Sequence, residues 1–159
     1  MTKEEKAILD AIAYAEGTLG VSNNGYDVCV DFYIINGWTE DTKIVHGGDA
    51  WYNASTNSTA AGRYQFLYGT WIGNNKVNKP MTKANQDAKG LELVNKKIGS
   101  MDKTKFATNR ASFNSAMAKL GGTWSSIPVD GNRLSHYGGN TPKSGDQIYA
   151  IYKEALAKY

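Results

Sequence analysis

The sequence predicts an α+β fold, mostly helical, with a small antiparallel β-hairpin region, in one domain spanning residues 1–159. Three observations predict it. The chain opens on a well-capped amphipathic helix. A stretch from Tyr26 to Asn57 is rich in β-branched and aromatic residues and broken by turn dipeptides. The remainder carries apolar residues at helical intervals. One helix, a small antiparallel patch and then several helices make an α+β order.

In chain order, Thr2 and Glu5 stand at capping-box spacing, and Ile8, Ala11, Ile12 and Ala15 follow on one helical face before Gly17 and Gly20. Val28, Val30, Phe32, Ile34 and Ile35 have strand-like order and lead into Asn36-Gly37, a hairpin turn signal. Ile44-Val45 and Trp51-Tyr52, on either side of Gly47-Gly48, are expected as further short strands. Ala61 to Gly73 is expected as a short helix that begins at Gly62-Arg63-Tyr64-Gln65, with Ser58 and Thr59 as its caps. Thr82 is placed to cap a helix running to Ile98, on which Ala84, Ala88, Leu91, Val94 and Ile98 recur. Phe106, Arg110, Phe113, Met117 and Leu120 predict the next, ended by Gly121-Gly122. Trp124 to Gly139 reads as irregular. The last helix is expected near Thr141-Pro142, where proline suits the first helical position, with Ile148, Ile151, Tyr152, Ala155 and Leu156 on one face.

Composition narrows the function classes. At 159 residues the chain is long enough to bury a core without metals or disulfides. Its single cysteine, Cys29, cannot close an intramolecular disulfide, which fits synthesis in a reducing cytoplasm. Within Val28-Cys29-Val30 it reads as a buried residue rather than a nucleophile. The charged N-terminus leads into an amphipathic pattern, so neither an export segment nor membrane insertion is expected. Net charge is +3, with Lys and Arg scattered rather than clustered, so no nucleic-acid partner is expected. His46 and His136 have no partner at ligand spacing, and no HExxH or cysteine cluster occurs. The reading is therefore metal-free and cofactor-free.

Glu16 is the residue that carries chemistry. It lies four positions after Ile12 and eight after Ile8, on the apolar face of the first helix. Desolvation there raises a carboxyl pKa, and the negative end of the helix dipole opposes ionisation again. Both keep a proton on Glu16 near neutrality, as a general acid needs. The bland alternative is a glutamate that ends a helix and turns to solvent.

Five blocks in order resemble the phage lambda endolysin family: Ala15-Glu16-Gly17-Thr18, Gly25-Tyr26-Asp27-Val28, Ser58 to Leu67, Gln86-Asp87-Ala88 and Trp124-Ser125-Ser126-Ile127-Pro128. Gly62-Arg63-Tyr64-Gln65 is also similar to the Gly-x-x-Gln element of lysozyme-like transglycosylases. The resemblance covers residues 7 to 130. It implies a lysozyme-like fold with the β-hairpin region beside the active-site cleft, and Glu16 as the catalytic acid. It further implies a lytic transglycosylase that breaks the MurNAc-GlcNAc bond of peptidoglycan glycan strands and leaves 1,6-anhydro muramyl ends. The implied setting is synthesis in the host cytoplasm, release through a holin lesion and action on the wall in the periplasm, as a monomer. The family's two mobile lips would correspond to residues 44–57 and 128–140, and both depart here from the lambda sequence.

Ordinary glycosidases use two carboxyls. Asp27 is the candidate for a second: it either assists at the substrate or caps its own backbone beside the Gly25-Tyr26 turn. Gln65 is expected to contact acetamido and hydroxyl groups of a sugar. Arg63 binds substrate carboxylate or makes a structural ion pair, and Tyr64 offers a ring to a pyranose or packs in the core. Tyr26, Ser58 and Tyr137 complete the candidate substrate contacts. Two other functions stay open at this point. One is a hydrolytic muramidase using Glu16 with Asp27; the other is an inactive cell-wall-binding domain that kept the fold.

Overall fold

A computed structural model describes residues 1–29, 34–35, 37–43, 58–129 and 143–159. The described residues fall into two compact units, Met1–Gly17 with Gly90–Tyr159, and Thr18–Lys89. The expected strand residues Val30, Phe32, Ile44, Val45, Trp51 and Tyr52 lie outside the described residues. So do His46, His136, Tyr137 and the Thr141-Pro142 start.

The first unit is helical. Helix α1 (Lys3–Ala15) begins with the expected capping box: the Thr2 hydroxyl accepts from Glu5 N–H, and the Glu5 carboxylate accepts from Thr2 N–H. Its buried residues, Ala7, Ile8, Leu9, Ala11, Ile12, Ala13 and Ala15, lie on more than one face, so α1 is a core helix rather than a surface one. It packs against α5 (Gly145–Lys158).

Helix α4 (Arg110–Leu120) starts four residues after Phe106, the expected first turn. The Asn109 side chain accepts from Ser112 N–H and sets the boundary, while Lys103–Lys105 form a separate 3-10 turn. Phe106 still joins the core, with its ring centroid 6.3 Å from Phe113, and Phe113 in turn packs its ring at a tilt against Tyr149 and Tyr152, with centroids 4.9 and 5.0 Å away. Helix α5 is capped by Ser144, whose hydroxyl accepts from Gln147 N–H. The usable signal was therefore this Ser144-Gln147 box and not the proline.

In the second unit, single antiparallel bridges join Val28 to Ile34, Cys29 to Ala61 and Ala61 to Phe66. The helix expected over Ala61 to Gly73 is only α2 (Tyr68–Ile72). Residues 61–66 instead make a tight turn closed by Ala61 N–H to Phe66 O and Phe66 N–H to Ala61 O, at 3.0 and 2.8 Å. Gly62 at φ +78° and Gln65 at φ +47° are left-handed, which no α-helix accommodates. Thr59 does serve α2, accepting from Tyr68 N–H at 3.0 Å, whereas Ser58 accepts from Ala60 N–H within its own turn. Helix α3 (Lys83–Ile98) starts as expected, with Thr82 accepting from Asn85 N–H.

Candidate active site

Glu16 is the C-cap of α1, its backbone N–H still bonded to Ile12 O at 2.9 Å. Gly17 follows in the left-handed region at φ +78° and turns the chain off the helix axis. The Glu16 side chain is half-buried, below Ile8 and Ile12, which have no exposed surface. Burial raises its carboxyl pKa to about 7, and a hydrogen bond from Ser126 pulls in the opposite direction. Ser126 Oγ donates to Glu16 Oε1.

No property of Ser126 taken alone marks it as a partner of Glu16. The available signal was its place in the Trp124 to Pro128 block. The turn that carries it is anchored on both sides. Trp124 and Ile127 are buried, and Ile127 N–H bonds to Trp124 O at 3.0 Å.

The second unit gathers most of the other predicted residues around a buried polar network. Gln86, with no exposed surface, bonds to three backbone groups. Its Oε1 accepts from Arg63 N–H at 2.8 Å, and its Nε2 donates to Tyr26 O and Met81 O at 2.9 and 2.8 Å. The Arg63 guanidinium donates to Asn24 O and lies 5.2 Å from the Tyr26 ring and 5.9 Å from the Tyr64 ring. Thr18 donates its hydroxyl to Arg63 O. The hydroxyls of Tyr26 and Tyr64 both donate to Asp87 Oδ1, at 2.8 and 2.7 Å. Desolvation, followed by the Asp87 carboxylate, drives both phenol pKa values well above the ordinary range, so both stay protonated donors.

This placement sorts the candidates. Arg63 and Tyr64 are 2% and 1% exposed, so neither presents a face to a ligand, and their expected substrate contacts give way to packing and hydrogen bonding. Tyr26 is half-buried with its hydroxyl committed to Asp87. Asp27 accepts from Ser22 Oγ at 2.8 Å and from Asn23 N–H at 3.2 Å, one bond to each carboxylate oxygen, and so caps its own turn. Gln65 is half-buried; its amide donates to Val28 O and Gly62 O at 3.3 and 3.0 Å. Ser58 is half-buried. Gln86 and Asp87, which tie this network together, were noted in the sequence only as part of a block. Among the described residues no group of three or more His, Cys, Asp or Glu side chains is arranged to hold a metal ion.

A family model described as Endolysin matches residues 6–159. The chain belongs to the endolysin family. It is a phage cell-wall-degrading enzyme, a peptidoglycan-cleaving glycosidase. The endolysin's fold is similar to that of the bacteriophage lambda lysozyme complexed with a chitohexasaccharide. That match has a TM-score of 0.69 and 25% identity, over 98% of this chain and 95% of the other. A second bacteriophage lambda lysozyme structure matches with a TM-score of 0.64 and 25% identity, over the same shares of the two chains. The α+β, lysozyme-like expectation therefore holds, with little strand among the described residues. No curated protein sequence matches the endolysin. Among its described residues no helix is long and apolar enough to cross a membrane.

Proposed function

We propose that this endolysin is a lytic transglycosylase, a single catalytic domain over residues 1–159 that cleaves the MurNAc-GlcNAc β-1,4 bond with Glu16 alone as acid and then base. The observation that carries the proposal is the state of the two carboxyls. Burial holds the Glu16 pKa at about 7, so a large share of the molecules carry the acid proton near neutrality. Both oxygens of Asp27 are occupied within its own turn. Those two bonds hold Asp27 to its own turn, an orientation that supports a capping role over activation of a water.

One carboxyl suffices for the non-hydrolytic route. Glu16 protonates the glycosidic oxygen as the bond to the anomeric carbon breaks and oxocarbenium character develops. The carboxylate so formed then takes the proton of the muramyl 6-hydroxyl as that oxygen bonds to the anomeric carbon. The proton returns to Glu16, and no water is consumed. The chitohexasaccharide held by the lambda lysozyme supports a glycan as the ligand. Gln65, Ser58, Tyr26 and Tyr137 are the proposed sugar contacts, with Arg63 and Tyr64 supporting them from beneath. The proposed setting is release of a monomeric enzyme through a holin lesion, and family membership supports the cell wall as its target.

Mass spectrometry of muropeptides released from purified sacculi tests this reading. Products with 1,6-anhydro muramyl ends, absent with Glu16→Gln, are expected. Reducing ends, heavier by one water, would replace it with the hydrolytic muramidase and return Asp27 to the chemistry. No cleavage by the wild type would leave a wall-binding domain.

A further inference from the structure

We infer that Ser126 is a positioning residue for Glu16: its hydroxyl occupies Oε1, so that Oε2 is the oxygen that delivers the acid proton and later recovers it. The inference rests on Glu16 being the acid proposed above. A carboxylic acid has one carbonyl-like oxygen and one hydroxyl oxygen, and an unconstrained group exchanges them by rotation. A donor fixed on Oε1 biases that choice, because the carbonyl-like oxygen of a carboxylic acid is the stronger acceptor and a donor held there favours the proton on Oε2. Ser126 Oγ is such a donor.

The placement of Ser126 is built rather than incidental. Its turn is held by the buried side chains Trp124 and Ile127 and enters from α4 through Trp124 N–H to Leu120 O at 3.0 Å. Gly121 lies beneath it. A Cβ there would come within 3.0 Å of Ile127 O and 3.1 Å of Val129 Cγ1, so the turn seats closely on the end of α4. Ser126 is half-buried, which lets its hydroxyl act where little water competes. Among the described residues, burial favours the neutral acid form of Glu16 and the Ser126 bond opposes it. Ser126 therefore favours the anion formed midway through the reaction, while burial favours the acid that begins it.

The bond also has a direction that a test can read. Donation from Ser126 favours the ionised carboxyl, so its removal makes Glu16 a weaker acid. In Ser126→Ala, carbon-13 NMR of the labelled Glu16 carboxyl should show titration about one pH unit higher than in the wild type. The alkaline limb of muropeptide release should move up with it. At pH 6, kcat should fall roughly tenfold, as expected for losing a hydrogen bond to a charge, with KM little changed. Ser126→Thr, which restores the hydroxyl, should return both the titration and the limb.

An unchanged Glu16 titration in Ser126→Ala would overturn the inference. So would a fall in kcat with the alkaline limb unmoved, the pattern of a purely structural side chain. A shifted titration in a protein whose wild type releases no muropeptides would overturn the enzyme reading instead, leaving the Ser126–Glu16 coupling in place.

Discussion

A Cβ built on Gly62 would lie 2.3 Å from Oε1 of Gln86, the oxygen that receives the Arg63 N–H. Gly62 is thus required twice, for its left-handed φ of +78° and for the approach of the α3 side chain. Gly62→Ala adds left-handed strain of about 1 kcal/mol or more and displaces a buried hydrogen bond whose loss costs about 1–3 kcal/mol. Urea unfolding of Gly62→Ala should show a loss of roughly 2–4 kcal/mol with an unchanged m-value. A loss under 1 kcal/mol would mean the Gln86 side chain yields without penalty.

The Glu16 carboxyl ties activity and stability to the same pH range. Its folded pKa of about 7 lies above the ordinary 4.5, so the unfolded chain releases the proton first as pH rises. The resulting stability is fully present below about 4.5, declines as pH rises from there and is gone above about 7. Glu16→Gln, which does not titrate, should therefore gain on the wild type by up to about 3 kcal/mol between pH 4.5 and 8, read by paired urea unfolding. Muropeptide release by the wild type should fall about tenfold per pH unit above this pKa. Parallel stability curves for the two proteins would place the Glu16 carboxyl in an ordinary solvated environment.

Asp27 is expected to matter for folding more than for chemistry. Asp27→Asn keeps one oxygen to accept from Ser22 or Asn23 and gives up the other. The expected penalty is about 0.5–2 kcal/mol in thermal or urea unfolding. The anhydro products should remain, with kcat within the same order of magnitude as the wild type. A collapse of kcat in a folded Asp27→Asn protein would transfer Asp27 to the reacting centre.

Tyr26 and Tyr64 share one acceptor oxygen on Asp87, so their deletions should not add. Either Tyr→Phe change leaves Asp87 Oδ1 with the other phenol and should cost about 1 kcal/mol. The double variant strips both donors from that oxygen and should lose more than the sum, by at least about 0.5 kcal/mol. Simple additivity would show that the two hydroxyls stabilise Asp87 independently.

Elements whose signals are local were legible in the sequence. The Thr2-Glu5 box announces α1 because the donors it satisfies are three residues away. Thr82 and α3 follow the same logic. Segment 61–66 was misread as helical because its apolar and aromatic residues mimic a helix. Its true conformation depends on Gly62 N–H bonding to Val28 O and on Gln86 reaching the Arg63 backbone. Those partners are more than twenty residues away, beyond any window of pattern or propensity. Arg63 likewise leaves a substrate-binding and a structural reading open in the sequence, and its guanidinium lies over the Tyr26 and Tyr64 rings, the first of which comes from a position the local pattern does not connect to it.

The sequence by itself determined the helical order, the α1 cap and the identity of Glu16 as the acid worth testing. Each rests on side-chain periodicity or on residue types in a block, which are properties of the chain before it folds. Tertiary structure alone decided how strongly Glu16 holds its proton and which oxygen Ser126 occupies. It also decided that Asp27 is spent on its own turn. Desolvation is a sum over everything packed around a group, and Ser126 is 110 residues from Glu16 along the chain. Only folding brings that hydroxyl to that carboxyl.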